Sequence, residues 1–139
     1  MAASPVISRN TPHIAIIGGG PAGLMAAQVL SNAGVAVDVY DAMASVGRKF
    51  LLAGKGGLNL SHSEAYESFI TRYGTGAEHI APWLAAFGVN DLCAWARSLG
   101  VETIIGSSGR IFPADMKAAP LLRAWLQRLR GQGVQFHVR

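Results

Sequence analysis

A short apolar run, Ile14-Ala15-Ile16-Ile17, passes straight into Gly18-Gly19-Gly20-Pro21-Ala22-Gly23, and this junction constrains the fold more than any other part of the chain. The turn reads Gly-x-Gly-x-x-Gly at Gly18, Gly20 and Gly23, and an apolar helical stretch follows over residues 24–33. In such a turn the first glycine permits the tight bend. The second removes the Cβ that would block a pyrophosphate, and the third lets the helix pack closely on the strand. Pro21 and Ala22 fall in the opening turn of that helix, whose free N–H groups and positive dipole end favour an anion. A second apolar strand, residues 35–40, leads to Asp41, about twenty residues beyond the first glycine, where a ribose-binding acid is expected. Strand, glycines, helix, strand and acid in this order point to a bound dinucleotide.

Other readings of the apolar start fail on composition. Residues 14–30 are apolar enough to suggest a targeting core or a membrane span. Three glycines and a proline interrupt them at positions 18–21, however, and Arg9 is the only cation before them. They also fall short of the ~20 uninterrupted apolar residues that a span requires.

At 139 residues the chain has the size of one domain, half of it hydrophobic and 14% charged, a globular composition. The net charge of +4 has its main cluster on one late helix (Lys117, Arg123, Arg128, Arg130) and reads as a solvated face. No basic stripe with interleaved aromatics suggests nucleic acid. The single Cys93 excludes an internal disulfide and a dithiol centre, which fits a reducing cytoplasm. His13, His62, His79 and His137 show no metal-ligand spacing.

Along the chain, residues 1–12 read as a loose leader and 13–139 as a Rossmann-like α/β domain. Helices are expected near 78–87 and near 91–99, the second with Asn90 as its N-cap and Gly100 just past its end. Residues 101–105 and 110–112 read as strands joined by Gly106-Ser107-Ser108-Gly109, hence a hairpin or meander. Asp115 caps a helix with Pro120 in its first turn, and Leu121, Leu122, Trp125, Leu126 and Leu129 recur at helical spacing. Residues 134–138 close the chain as a strand. Three parallel strands make a thin sheet for a complete doubly wound fold, so the sequence reads as truncated.

Between Asp41 and Ser63 lies an irregular stretch longer than the ~12–15 residues at which loops are usually functional or disordered. It carries Gly47, Gly54, Gly56 and Gly57 with Arg48, Lys49 and Lys55, and then Asn59, Ser61 and His62. Free N–H groups beside cations suit a phosphate or an electron-rich ring. On this basis the loop should fold back toward the glycine turn, with Arg48 directed at it. No side chain stands out as an acid, base or nucleophile. His62 comes nearest, and a hydrogen-bonding role in the loop explains it better.

The glycine fingerprint, Tyr40-Asp41, Gly47-Arg48-Lys49 and residues 54–63 resemble the bacterial BaiN-like or aminoacetone-oxidase-like NAD(P)/FAD-dependent oxidoreductases. The later Phe87-Gly88, Leu99-Gly100-Val101, Gly109-Arg110-Ile111-Phe112-Pro113 and Gly133-Val134 follow the same family order. The resemblance implies the N-terminal FAD-binding half of a two-dinucleotide-binding-domain flavoprotein acting on a small molecule, with NAD(P)H as a conceivable electron donor. It implies that Gly18, Gly20, Pro21, Ala22 and Gly23 meet the FAD pyrophosphate and that Asp41 meets the adenosine ribose. Gly47, Arg48 and Lys49 would lie along the pyrophosphate, and Gly54, Gly56, Gly57 and Asn59 toward the isoalloxazine. Many relatives have Gly-Arg-Cys-Asn where this chain has Gly56-Gly57-Leu58-Asn59, which suggests a Gly-Gly-Leu-Asn subgroup and removes that arginine and cysteine from the comparison. The family's usual chain continues into a substrate domain and a C-terminal segment that completes the FAD site, and neither appears in this sequence. Two other readings stay open: an NAD-type Rossmann dehydrogenase, and a non-catalytic nucleotide-binding module.

Overall fold

The computed structural model describes residues 12–139. Apart from Pro12, the expected leader lies outside the described residues. The chain divides into two compact units, one made of the sequence up to Phe50 together with Trp125 onward, the other of Leu51–Ala124.

The first unit is built on a parallel sheet of three strands. β1 (His13–Ile17), β2 (Ala36–Asp41) and β6 (Gln135–Val138) lie in the order β1-β2-β6. Ile16 pairs with Val39, and Val39 with Phe136, so these apolar side chains share one face. Helix α1 (Pro21–Asn32) covers β1 and β2 on that face, and Leu24, Ala27 and Val39 are fully buried there. The final turns of α6 (Ala118–Gly131) cover the β6 side, where the Arg130 guanidinium sits 5.3 Å above the Phe136 ring. Leu129 and Val134 complete the core. A parallel arrangement with helices on the sheet is the expected Rossmann-like α/β organisation.

The other face of this sheet carries a polar cluster beside exposed Ile17. Asp38, in the middle of β2, takes His13 of β1 on one carboxylate oxygen and His137 of β6 on the other. Tyr40 stacks on His137 with ring centroids 4.5 Å apart. The hydrogen bond with His137, and then that with His13, holds the Asp38 carboxyl below its ordinary value of 3.8 against the opposing pull of burial. A depressed carboxylate contributes stability that is fully present above its unfolded value and is lost as pH falls through its folded value. Asp38→Asn should therefore flatten the loss of stability below about pH 4. Acid titration followed by circular dichroism checks this, and an acid limb as steep as that of the unsubstituted protein would refute it.

The second unit pairs a small antiparallel sheet with helices. β3 (Ser61–His62), β5 (Arg110–Pro113) and β4 (Thr103–Ile105) lie in the order β3-β5-β4. The turn between β4 and β5 closes through Gly106 N–H to the Arg110 carbonyl at 2.8 Å, as the Gly-Ser-Ser-Gly sequence predicts. Around it stand α3 (Tyr66–Thr71), α4 (Ala77–Ala86) and α5 (Val89–Ser98), with Trp95, Ala96, Ile111, Leu121 and Leu122 buried.

Two local expectations need correction. Gly88, not Asn90, is the N-cap of α5, because the Asp91 carboxylate reaches back to the Gly88 N–H at 2.8 Å and so starts the helix earlier. The stretch expected to be irregular after Asp41 contains α2 (Arg48–Ala53) and β3. Gly100 does end α5 in the left-handed region at φ 78°. Asp115 accepts the Lys117 N–H at 3.0 Å just before α6.

Candidate functional site

The glycine turn sits at the carboxyl ends of β1 and β2, the side on which open α/β sheets receive ligands. Gly18 has φ 105°, a value only glycine adopts without strain, and its N–H donates to the Tyr40 carbonyl at 2.7 Å. Gly23 packs α1 onto β1: a Cβ there would collide with the Gly18 carbonyl oxygen and lie 3.3 Å from Ile16 Cγ2. Gly20 differs from both. It is the N-cap of α1 in extended conformation, and among the described residues no atom beyond its chain neighbours lies within 4 Å of where its Cβ would stand. No side chain caps α1, so the first N–H groups of this helix face the turn without a side-chain acceptor.

Asp41 ends β2 and closes the turn. Its Oδ2 accepts the Gly19 N–H at 2.9 Å and its Oδ1 the Met43 N–H at 2.9 Å. These two bonds, the Met43 one foremost, together with the charge of Arg48, hold the Asp41 carboxyl below its ordinary value. It stays ionised at neutral pH, and each oxygen keeps a lone pair for a further donor. Asp38, the other acid on this strand, is taken by the two histidines, which leaves Asp41 as the acid of the turn.

The early part of the 42–63 segment behaves as expected. The Gly47 N–H donates to the Gly19 carbonyl at 2.7 Å, which brings Gly47, Arg48 and Lys49 beside the turn. Arg48 and Lys49 open α2 with exposed side chains, and Arg48 is close enough to influence Asp41. Two residues of this arrangement escape a reading of the glycine motif. Gly19 is a motif "x" position, yet a Cβ there would run into Val46 and Asp41. Val46 itself is buried as the wedge that seats the loop. Only the long-range contact reveals either role. Beyond the ends of β2 and β6, a cleft of about 470 Å³ opens beside Ala44, Ser45 and Val46, and Arg130, Phe136 and Val138 also line it.

The later part of the segment belongs to the second unit. Gly54 lies against Ala118, the Leu58 N–H donates to the Met116 carbonyl at 3.0 Å, and Gly57, at φ 116°, leaves room for Met116 and Phe112. Nothing approaches the Cβ position of Gly56, and Lys55 is exposed. The Asn59 amide nitrogen faces the Ser61 and Ile111 carbonyls at 2.8 and 3.2 Å. His62 Nδ1 accepts the Glu64 N–H at 3.1 Å, so its Nε2–H donates to the Ser108 carbonyl at 2.9 Å. With both ring nitrogens engaged, His62 has the expected hydrogen-bonding role, in strand β3 and not in a loop. No group of three or more His, Cys, Asp or Glu among the described residues has the geometry for a metal ion. No helix among them is long and apolar enough to cross a membrane.

The HI0933-like protein Rossmann domain family matches residues 12–139, nearly the whole chain. The chain belongs to that family. No curated protein matches it. Among solved structures, Thermovibrio ammonificans THI4 superposes with a TM-score of 0.54 at 20% identity, over 92% of this chain and 38% of that one. The open conformation of a flavocytochrome c3 fumarate reductase gives a TM-score of 0.52 at 20% identity, over 92% of this chain and 26% of that one. At such identities the likeness is one of fold. The chain thus spans well under half the length of either structure.

Proposed function

We propose that this HI0933-like Rossmann domain is the FAD-binding part of an oxidoreductase that acts on a small molecule. One observation carries the reading: an uncapped helix N-terminus and the open side of Gly20 face the same turn that Asp41 and Gly47 brace. The first N–H groups of α1 and an adjacent arginine then meet where a pyrophosphate would lie, and helix dipole and cation both favour its charge. The name of one superposed structure, a flavocytochrome c3 fumarate reductase, agrees with a flavin as the ligand.

In this reading Gly18, Gly20, Pro21, Ala22 and Gly23 border the pyrophosphate, and Gly47, Arg48 and Lys49 flank it. Asp41 accepts the ribose hydroxyls, and the cleft beside Ala44–Val46 takes the adenine. Gly54, Gly56, Gly57 and Asn59 are assigned to the isoalloxazine side on family resemblance. Gly56 has the open backbone this requires, whereas Gly54, Gly57 and Asn59 also serve the packing described above. Bound flavin supplies the hydride and electron transfer, with the protein contributing position and electrostatics. NAD(P)H as donor, membership of the BaiN-like subgroup and a cytoplasmic location belong to the same proposal.

The test is a titration of the purified protein with FAD, FMN and NAD. FAD should bind best, and Asp41→Ala should weaken FAD about tenfold while changing FMN little, since FMN has no adenosine ribose; a lost hydrogen bond to a charged acceptor is worth about 1.5–3 kcal/mol. Equal weakening of FAD and FMN would remove Asp41 from the ribose. Binding of NAD without FAD would favour a dehydrogenase of the NAD type.

A further inference from the structure

The second unit contains a cleft of about 670 Å³ that the nucleotide reading does not use. Its size falls within the ~300–1,000 Å³ range of small-molecule sites. Ile105 and Ile111 of the small sheet form one wall, Tyr66 and Phe69 of α3 another, and Leu84 and Val89 the α4–α5 corner. Ile105 is 64% exposed and Tyr66 48% exposed, so large apolar surface is turned toward the opening.

The charged groups on the lining are not equivalent. Asp91 is occupied by the Gly88 N–H at 2.8 Å. Glu64 is taken by Arg72, whose Nη2 donates to Oε2 at 3.0 Å and whose Nε meets Oε1. These bonds hold the Glu64 carboxyl below its ordinary value. Arg97 is different. Among the described residues its one ion pair runs from Nε to Glu102 Oε2 at 3.6 Å, too long for a hydrogen bond, between two well-exposed side chains. A guanidinium that makes no hydrogen bond among the described residues beyond its loose pairing with Glu102, at the edge of an apolar cleft whose Glu64 is already paired with Arg72, calls for a bidentate anion attached to an apolar body.

We propose that this cleft binds a small aromatic carboxylate, its ring against Ile105, Ile111 and Phe69 and its carboxylate on Arg97. Cys93, the only cysteine of the chain, lines the same cleft and is half-buried, so its thiol reports on occupancy.

The experiment titrates the full 139-residue chain with 2-naphthoate, followed by the ligand's fluorescence, beside the neutral isostere 2-naphthamide. Naphthoate should saturate, and naphthamide should bind about tenfold more weakly, the loss of one charge-assisted pair. Arg97→Gln should weaken naphthoate to the level of the amide and leave the amide unchanged. Saturating naphthoate should slow alkylation of Cys93 by iodoacetamide severalfold. Gly20→Val, which alters the nucleotide turn, should leave naphthoate binding intact, so this proposal can fail or succeed independently of the FAD reading. Absence of saturation, equal affinity in Arg97→Gln, an unprotected Cys93, or loss of binding in Gly20→Val would each overturn it.

Discussion

Gly20→Val should abolish FAD retention while leaving the protein folded. Because no atom of the described residues beyond its chain neighbours lies within 4 Å of the Gly20 Cβ position, the new Cβ has open space and the side chain projects into the space assigned to the pyrophosphate. Its φ of −78° and ψ of 179° suit any residue, so backbone strain does not enter. Replacing glycine by valine at an N-cap weakens the helix start by no more than about 1 kcal/mol. Loss of cofactor would then be a steric effect at the ligand. The measurement is flavin stoichiometry by absorbance on protein whose circular dichroism is unchanged. Full stoichiometry in folded Gly20→Val would sink the assignment of the turn to FAD.

Gly23→Ala, three residues on, should do the opposite: it should unfold before it discriminates among ligands. Intrinsic propensity alone favours alanine over glycine inside a helix by about 1 kcal/mol. Packing reverses the sign. The added methyl would collide with the Gly18 carbonyl oxygen and crowd Ile16 Cγ2, and a backbone oxygen cannot rotate away as a flexible side chain can. Helix α1 would have to lift from β1, opening the core around Leu24 and Ala27, both fully buried. Overpacking of this kind costs about 1–3 kcal/mol and sometimes more. For a chain of this size that lowers Tm by roughly 3–12 °C. Thermal unfolding decides it, and an unchanged or raised Tm would show that the α1–β1 contact yields more easily than its geometry implies. Taken together, the two substitutions separate a glycine that makes room for a ligand from one that makes room for the protein, within one six-residue turn.

The contrast shows where the sequence is informative. Features set by near neighbours along the chain are legible in it. The order from Ile14 to Asp41, the hairpin about Gly106–Gly109, the left-handed Gly100 and the buried Leu121, Leu122, Trp125 and Leu129 stripe of α6 all follow from local periodicity and φ preference. So does the distinction between Asp41 and Asp38, which rests on one lying at the end of a strand and the other inside it. A single residue's capping choice was harder to read. Asn90 is a good N-cap type, but the reach of Asp91 back to Gly88 fixed the start of α5 instead.

Contacts between residues far apart in sequence emerge only on folding. The motif spacing does not mark Gly19 as essential; Val46 and Asp41 do, by occupying the space a side chain there would need. The long glycine loop reads as one cofactor-facing segment, yet its Gly47 end bonds to Gly19 while its Gly54–Asn59 end packs among Ala118, Met116 and Ile111. Equal glycine content conceals that division, because glycine serves a ligand's approach and a close protein contact through the same missing Cβ. The clasp of His13 and His137 on Asp38 is invisible for a related reason. It depends on the parallel register that puts β1 and β6 on either side of β2, and register is fixed by the pairing of distant strands. By itself the sequence determined the Rossmann-like turn and the acid that closes it; which glycines are free to meet a ligand was decided by what the rest of the chain packs against them.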